Sequence, residues 1–341
     1  MNFHEFTTQV ISEMRRRFPG YDIQVQEVPK LQGESYTGMA IHPSGGDIAL
    51  TMDLEALFDR FRNDLYLGNP MKAIAREIKE AVAQMPQFDT EALTNYERMK
   101  EKLTLQLVPS AKNKDLLADI PHRNIEDMAL AYRFDMGHNE RTSYSILVTN
   151  KMLNAYGISA AQLHDDALEA ASHSCPATLR NMNEVIHNMA GQTDPSPMWV
   201  ASIENGQNGA CVIQYPHFLD DAAETLGGSF YVLPSSIHEV LLLADDTSPS
   251  LSELEHMVRT INQAEVAPEE RLSDNVFHYD CESHIFENAR TFEARLSTVE
   301  QSVANAELFE AAKPDTMTVL LVQPNAYPRV VQIGTALEDL Q

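Results

Sequence analysis

Between two apolar runs the chain reads Pro234-Ser235-Ser236-Ile237-His238-Glu239, which brings a nucleophile type, a base type and a carboxylate close together. Those are the components of nucleophilic or acid–base chemistry. In an extended chain Ser236 and His238 face one side and Glu239 the other, so the segment alone cannot form a triad. No G-x-S-x-G elbow is present to lift a serine onto a strained turn. The alternative reading is a turn whose hydroxyls and imidazole satisfy neighbouring backbone groups. His238 and Glu239 are therefore the catalytic candidates, and Ser235, Ser236, His238, His122 and Arg123 the binding candidates. His122-Arg123, after Pro121, could hold an anion in a loop or brace Asp127 from within the protein. A third set, His278, Cys281 and His284, has metal-ligand types spaced by three, but it lacks the second half of the common zinc patterns.

H-E-x-x-H, a P-loop, G-x-G-x-x-G and paired C-x-x-C are all missing from the sequence, and no cofactor is expected. With 25 Lys and Arg against 50 Asp and Glu, the net charge of −25 disfavours direct binding to nucleic acid, which requires clustered cations. The one dense basic run, Arg15-Arg16-Arg17, falls at the end of an expected helix, where cations complement the helix dipole. Cys175, Cys211 and Cys281 are too few and too scattered for a secreted disulfide framework. The opening residues do not read as a signal peptide, and no apolar run reaches the ~18 residues of a membrane span. The expectation is a cytoplasmic protein without membrane contact.

The elements that must position these residues are legible from periodicity. Phe3, Phe6, Val10 and Met14 mark an amphipathic helix before Gly20. Strands follow around Ile23–Val25, Tyr36–Ile41 and Ile48–Met52, and then Asp53 caps a second helix. Pro70 opens a third helix, to about Met85. Strands are expected at Leu103–Val108, Met128–Phe134 and Ser143–Val148, then a short helix ending at Gly157 and another opened by Ser159. A helix from Pro176 to Met189 and a hairpin joining Trp199–Ile203 to Ala210–Gln214 come next. An acidic helix around Asp220–Leu226 precedes strands at Phe230–Leu233 and Ile237–Ala244. The Ser250/Glu253 capping box opens a helix, and Val276–Tyr279 reads as the last strand of the body. Beyond it, Phe292, Leu296, Val299, Val303 and Ala306 step at heptad spacing for barely two heptads, and Met317–Val322 with Val330–Ile333 reads as a small hairpin.

Three stretches carry a family resemblance: Pro121-His122-Arg123 with Asp127-Met128-Ala129 and Tyr132, Leu233 to Val240, and Leu272 to Phe277 with Tyr279. Together they resemble the Clostridia-type family of unknown function DUF5688 over about residues 1–280. Thr318–Val322, Pro324, Pro328, Val331, Ile333 and Leu337–Gln341 are similar to the opening of the small domain DUF3846, of which only the beginning would be present. Neither resemblance implies an activity. Both imply association with bacterial mobile elements.

The fold expected is α+β, with helices packed on a mixed, largely antiparallel sheet. The body covers 1–280, with a possible split near 150, followed by a linker helix over 281–313 and a partial β/α unit over 314–341. Missing catalytic motifs and strong acidity favour a non-catalytic accessory factor that binds a basic protein partner. The alternatives are a hydrolase-type enzyme using His238 and Glu239, and an acidic DNA mimic that inhibits a DNA-acting enzyme.

Overall fold

The computed structural model describes residues 1–298 and 301, except 34, 44–49, 64–67, 85–89, 139–142, 186–195, 235 and 246–248. The 314–341 unit, the terminal hairpin, residues 299–300 and 302–313 of the expected linker helix and Ser235 lie outside the described residues.

The chain folds as α+β. Its pairings form three sheets, each of them antiparallel among the described residues, where the sequence suggests one mixed sheet. The first sheet has the order β1-β2-β3, from β1 (Tyr21–Val28), β2 (Tyr36–Pro43) and β3 (Leu50–Asp53). Helices α1 (Phe3–Arg17), α2 (Leu54–Arg62) and α3 (Pro70–Gln84) belong to the same unit. Asn2 and Glu5 close a capping box at the start of α1, and the Asp53 carboxylate accepts from the Ala56 N–H at the start of α2. Phe6, Val10 and Met14 of α1 meet Ile23, Met39 and Ile41 of the sheet, with Leu54, Leu57, Ile74 and Ile78 from the other helices. Each such burial contributes roughly 1.5–3 kcal/mol.

Two short helices, α4 (Thr90–Leu93) and α5 (Tyr96–Met99), lead into the main body. Its four-stranded sheet comprises β4 (Leu103–Pro109), β5 (His122–Ile125), β6 (Met128–His138) and β7 (Ser143–Leu147), with α6 (Lys114–Asp119) between β4 and β5. Helices α7 (Asn150–Tyr156) and α8 (Ala160–Ser174) then lead to a six-stranded sheet of order β13-β12-β10-β11-β9-β8. Its strands are β8 (Ala177–Asn181), β9 (Met198–Ile203), β10 (Phe230–Leu233), β11 (Val240–Ala244), β12 (Phe277–Asp280) and β13 (Ile285–Asn288), with α9 (Phe218–Leu226) and α10 (Leu251–Ala264) interspersed. One face of this sheet shares a core with β4, β6, α8 and α9, and the other is covered by Leu251, Leu254 and Val258 of α10. Burial on both faces explains the unbroken apolar run Val240 to Leu243.

Three expected elements differ. The stretch after Pro176 is the edge strand β8, because Thr178 and Leu179 register against Ser202 and Ala201; helix follows at 182–185, and 186–189 lie outside the described residues. Proline is tolerated just before an edge strand. Gly209–Gln214 is a buried 3-10 segment and not a strand: Asn208 is left-handed (φ 59°), and a Cβ on Gly209 would stand 2.2 Å from Ser202 Oγ and 2.5 Å from the His238 carbonyl oxygen. The chain must turn inward there. Val276–Tyr279 is not the last strand either, since β13 pairs with β12 and carries the body past 280. Helix begins at 289, and its first turns are held by Arg290 on Glu255 and Arg295 on Asp280 and Glu287. The apolar core runs continuously across position 150, and the change of core falls before Tyr96.

Candidate functional site

The Pro234–Glu239 turn is stitched to its surroundings by its own polar groups. Ser236 Oγ accepts from the His238 N–H at 3.0 Å, and the Ile237 N–H donates to the Glu270 carbonyl at 2.8 Å. Ser202 Oγ donates to the His238 carbonyl at 2.8 Å. His238 Nδ1 accepts from the Asn208 N–H at 3.1 Å, so its ring proton is on Nε2, which lies 3.5 Å from Glu270 Oε1. Both ring nitrogens are thereby engaged, leaving the imidazole without a lone pair for a general base.

His122 and Arg123 diverge, since successive residues of β5 point to opposite sides of the sheet. His122 Nδ1 donates to the Ile120 carbonyl at 3.1 Å. Arg123 Nη1 donates to His164 Nε2 at 2.6 Å. An arginine can only donate, which places the His164 proton on Nδ1, 3.0 Å from the Tyr132 hydroxyl oxygen. Burial, reinforced by the Arg123 charge, lowers the His164 pKa, and burial pushes the Tyr132 hydroxyl up to about 12. A neutral imidazole held between cation and phenol braces β5 and β6 against α8. His164 was not among the sequence candidates. Its signal was its place with Ala167 and Ala171 on the buried stripe of α8.

The three metal-ligand types do not converge. His278 is fully buried, with Nε2 3.1 Å from Asp245 Oδ2 and its ring stacked on Phe292 at 3.6 Å. Burial lowers its pKa against the opposing pull of Asp245. Cys281 Sγ accepts from Ser229 Oγ at 3.4 Å. His284 Nδ1 is 2.7 Å from Asp220 Oδ1, and that oxygen also accepts from the Tyr279 hydroxyl. Among the described residues no group of three or more ligand types could hold a metal ion. An open groove of about 560 Å³ is lined by Glu91, Asn95, Glu97, Arg98 and Tyr156. Neither His238 nor His164 lines it.

What the structure does bring together is the set of motifs carrying the resemblance, which meet along residues 268–276. Asp127 Oδ2 accepts from Ser273 Oγ at 2.6 Å and Asn275 Nδ2 at 2.9 Å. Glu270 receives the Pro234–Glu239 turn, as described. Gln32, buried and left-handed (φ 68°), donates to the Arg271 carbonyl at 2.9 Å and exchanges hydrogen bonds with Asn113. One extended segment thus fastens the first unit, the four-stranded sheet and the six-stranded sheet to each other. Sequence reading pointed to Asp127, Ser273, Asn275 and the Pro234–Glu239 turn but not to Gln32, Asn113 or Glu270, and where it suggested a site at the turn the structure shows a joint.

Three antiparallel sheets with helices on their faces define an α+β protein, built around this shared seam. The chain belongs to the Family of unknown function (DUF5688), whose model matches residues 3–281. Residues 317–341 fall outside that match. No curated protein and no solved structure matches the chain. Among the described residues no helix is long and apolar enough to cross a membrane.

Proposed function

We propose that this chain is a non-catalytic accessory factor, of the kind carried by bacterial mobile elements, that binds a basic protein partner through its acidic surface. The observation that carries this reading is how the positive charges are used. Arg16 and Arg17 pair with Glu13, Arg60 with Glu77, Lys100 with Glu97, Arg259 and Arg290 with Glu255, and Arg295 with Asp280 and Glu287. Arg15 and Arg271 are turned onto backbone carbonyls, and Arg123 onto His164. Ten of the 25 Lys and Arg are thus engaged within the molecule, against a net charge of −25 for the whole chain. Such a field steers and selects a partner of opposite sign.

The enzyme reading would need His238 to exchange a proton, and its lone pair is already committed to Asn208. Capture of basic proteins from a bacterial lysate by the tagged chain, across a salt series, tests the proposal. A stoichiometric basic partner, released as salt rises and retained by the His238→Ala/Glu239→Ala double variant, is expected. Binding that is insensitive to salt, or lost in the double variant, would overturn it. Capture of a DNA-acting enzyme that duplex DNA competes away would favour the DNA-mimic reading.

A further inference from the structure

The first sheet has an eight-residue outer strand, β1, whose residues are mostly exposed. β1 pairs with β2 along all eight of its residues, from Tyr21 opposite Pro43 to Val28 opposite Tyr36, with no bulge. Among the described residues it has no strand neighbour on its other side. Strand edges are usually blunted by shortness, lysine, proline or a bulge, and within Tyr21–Val28 there is no lysine or proline. The other long edge strand, β4, is buried along most of its length against α8 and the 209–214 segment. The outer strands β8 and β13 are five and four residues long. On β1, by contrast, Asp22, Gln24, Val25, Gln26 and Glu27 are all exposed. Val25, at 45% exposure, is one of only three large exposed hydrophobic side chains among the described residues.

The edge is guarded at one point. Arg15, from the last turn of α1, donates both Nε and Nη2 to the Ile23 carbonyl, at 2.9 and 2.6 Å. An antiparallel strand turns every second residue's N–H and C=O to the same side. Arg15 therefore marks the outward row as that of Ile23, Val25 and Glu27, with the positions after Ile23 open among the described residues. Both charged side chains of β1, Asp22 and Glu27, are acids.

We propose that β1 is a docking edge that takes an extended, basic segment of a partner protein as a fourth strand. Backbone pairing at Val25 and Glu27 would supply affinity, burial of Val25 the apolar contact, and Asp22 and Glu27 the preference for lysine or arginine. This rests on the reading of the protein as a binder of basic partners and assigns that reading a place and a mode.

The test uses the full chain and a synthetic ten-residue peptide alternating valine with lysine and threonine, beside the same peptide N-methylated at alternate residues. The two have the same charge, but the second cannot complete a β ladder. Hydrogen exchange read by mass spectrometry should slow roughly tenfold over 21–28 at about 90% occupancy with the first peptide only. Val25→Pro should abolish this protection without unfolding the sheet, since an outward-facing N–H contributes nothing to the pairing with β2. Val25→Lys, a milder guard, should weaken it. Equal binding of the methylated peptide, protection elsewhere than 21–28, or slow exchange at the outward Val25 and Glu27 amides in the chain alone would each overturn the docking edge. If neither peptide binds while the lysate capture still yields a salt-released basic partner, the edge is wrong and the acidic-surface reading stands.

Discussion

The first sheet and the six-stranded sheet are both antiparallel, yet they are covered differently. The first packs its helices against Ile23, Met39 and Ile41, and on β1 Ile23 alone is buried, between exposed Asp22 and Gln24. The second is packed on both faces, so Val240 to Leu243 are all buried. Double coverage favours partners for polar groups near the core, and Ser202, Ser236 and His238 are tied to backbone, although Thr178 Oγ1, Asn262 Oδ1 and His278 Nδ1 stay buried without a hydrogen bond among the described residues. The exposed β1 makes a weaker demand. Residue types that look most chemical lie where the molecule needs joints, and the free backbone lies in a strand that looks ordinary.

The sharpest way to break this contrast is a methyl group placed in each region. Gly209→Ala would drive its Cβ against Ser202 Oγ, the His238 carbonyl and the Ile203 nitrogen, at 2.2 to 2.7 Å. Backbone cannot step aside, so we expect a loss of about 3 kcal/mol or more in denaturant unfolding. Gly38→Ala meets only the Val28 and Thr51 methyls, at 2.6 and 2.7 Å, and should cost about 1–2 kcal/mol as the side chains shift. Equal losses would remove the distinction between the two regions.

Gln32→Ala tests whether the regions depend on each other. It removes the two side-chain hydrogen bonds, from Gln32 Nε2 to the Arg271 carbonyl and from Asn113 Nδ2 to Gln32 Oε1, while the Gln32 N–H still donates to Asn113 Oδ1, for an expected cost of about 2 kcal/mol. Hydrogen exchange should rise on both sides of the joint. A rise confined to the first unit would mean that the seam does not couple them.

Smaller effects are expected where the helix at 289–298 meets the body. Phe292→Ala removes the ring stacked on His278 and should cost about 1–2 kcal/mol, read as faster exchange over 289–298. The same segment should respond to acid. Hydrogen bonds from Arg290, with the charges of Arg290 and Arg259, hold the Glu255 carboxyl below the usual carboxylate range. A depressed folded pKa stabilises fully above the unfolded value, about 4.3 for glutamate, and that stabilisation is lost as pH falls through the depressed value. Exchange over 289–298 should therefore accelerate at the acid end of a titration, and Glu255→Gln should reduce the pH dependence, the remainder coming from Asp280, whose carboxyl is held low, against burial, by Ser283 and Arg295. The smallest change is expected at Glu13 of α1. Arg16 and Arg17 hold its pKa at about 2, but the carboxylate is solvent-facing, so Glu13→Gln should leave stability nearly unchanged in physiological salt.

Local signals in the sequence were enough for most elements. The stripe Phe6, Val10, Met14 placed α1, Asp53 placed the start of α2, and the Ser250/Glu253 box placed α10, because caps and periodicity act within a few residues. The same reasoning failed at Ala210–Gln214 and after Pro176. Four apolar residues in a row fit a strand or a buried turn equally well, and an edge strand is defined by the partner it finds.

For the site the division is the same. Sequence determined the acidity of the chain and which residues were unusual, among them His122, Arg123, Ser236, His238 and Asp127. Only the tertiary structure decided that His238 turns to Asn208, that Arg123 turns to His164, and that Asp127 reaches Ser273 and Asn275. Those partners lie between 30 and 148 residues away along the chain, beyond the reach of any local pattern. It likewise left one edge of β1 open, because an edge is a property of what a sheet lacks beside it, and no strand's own residues can specify that.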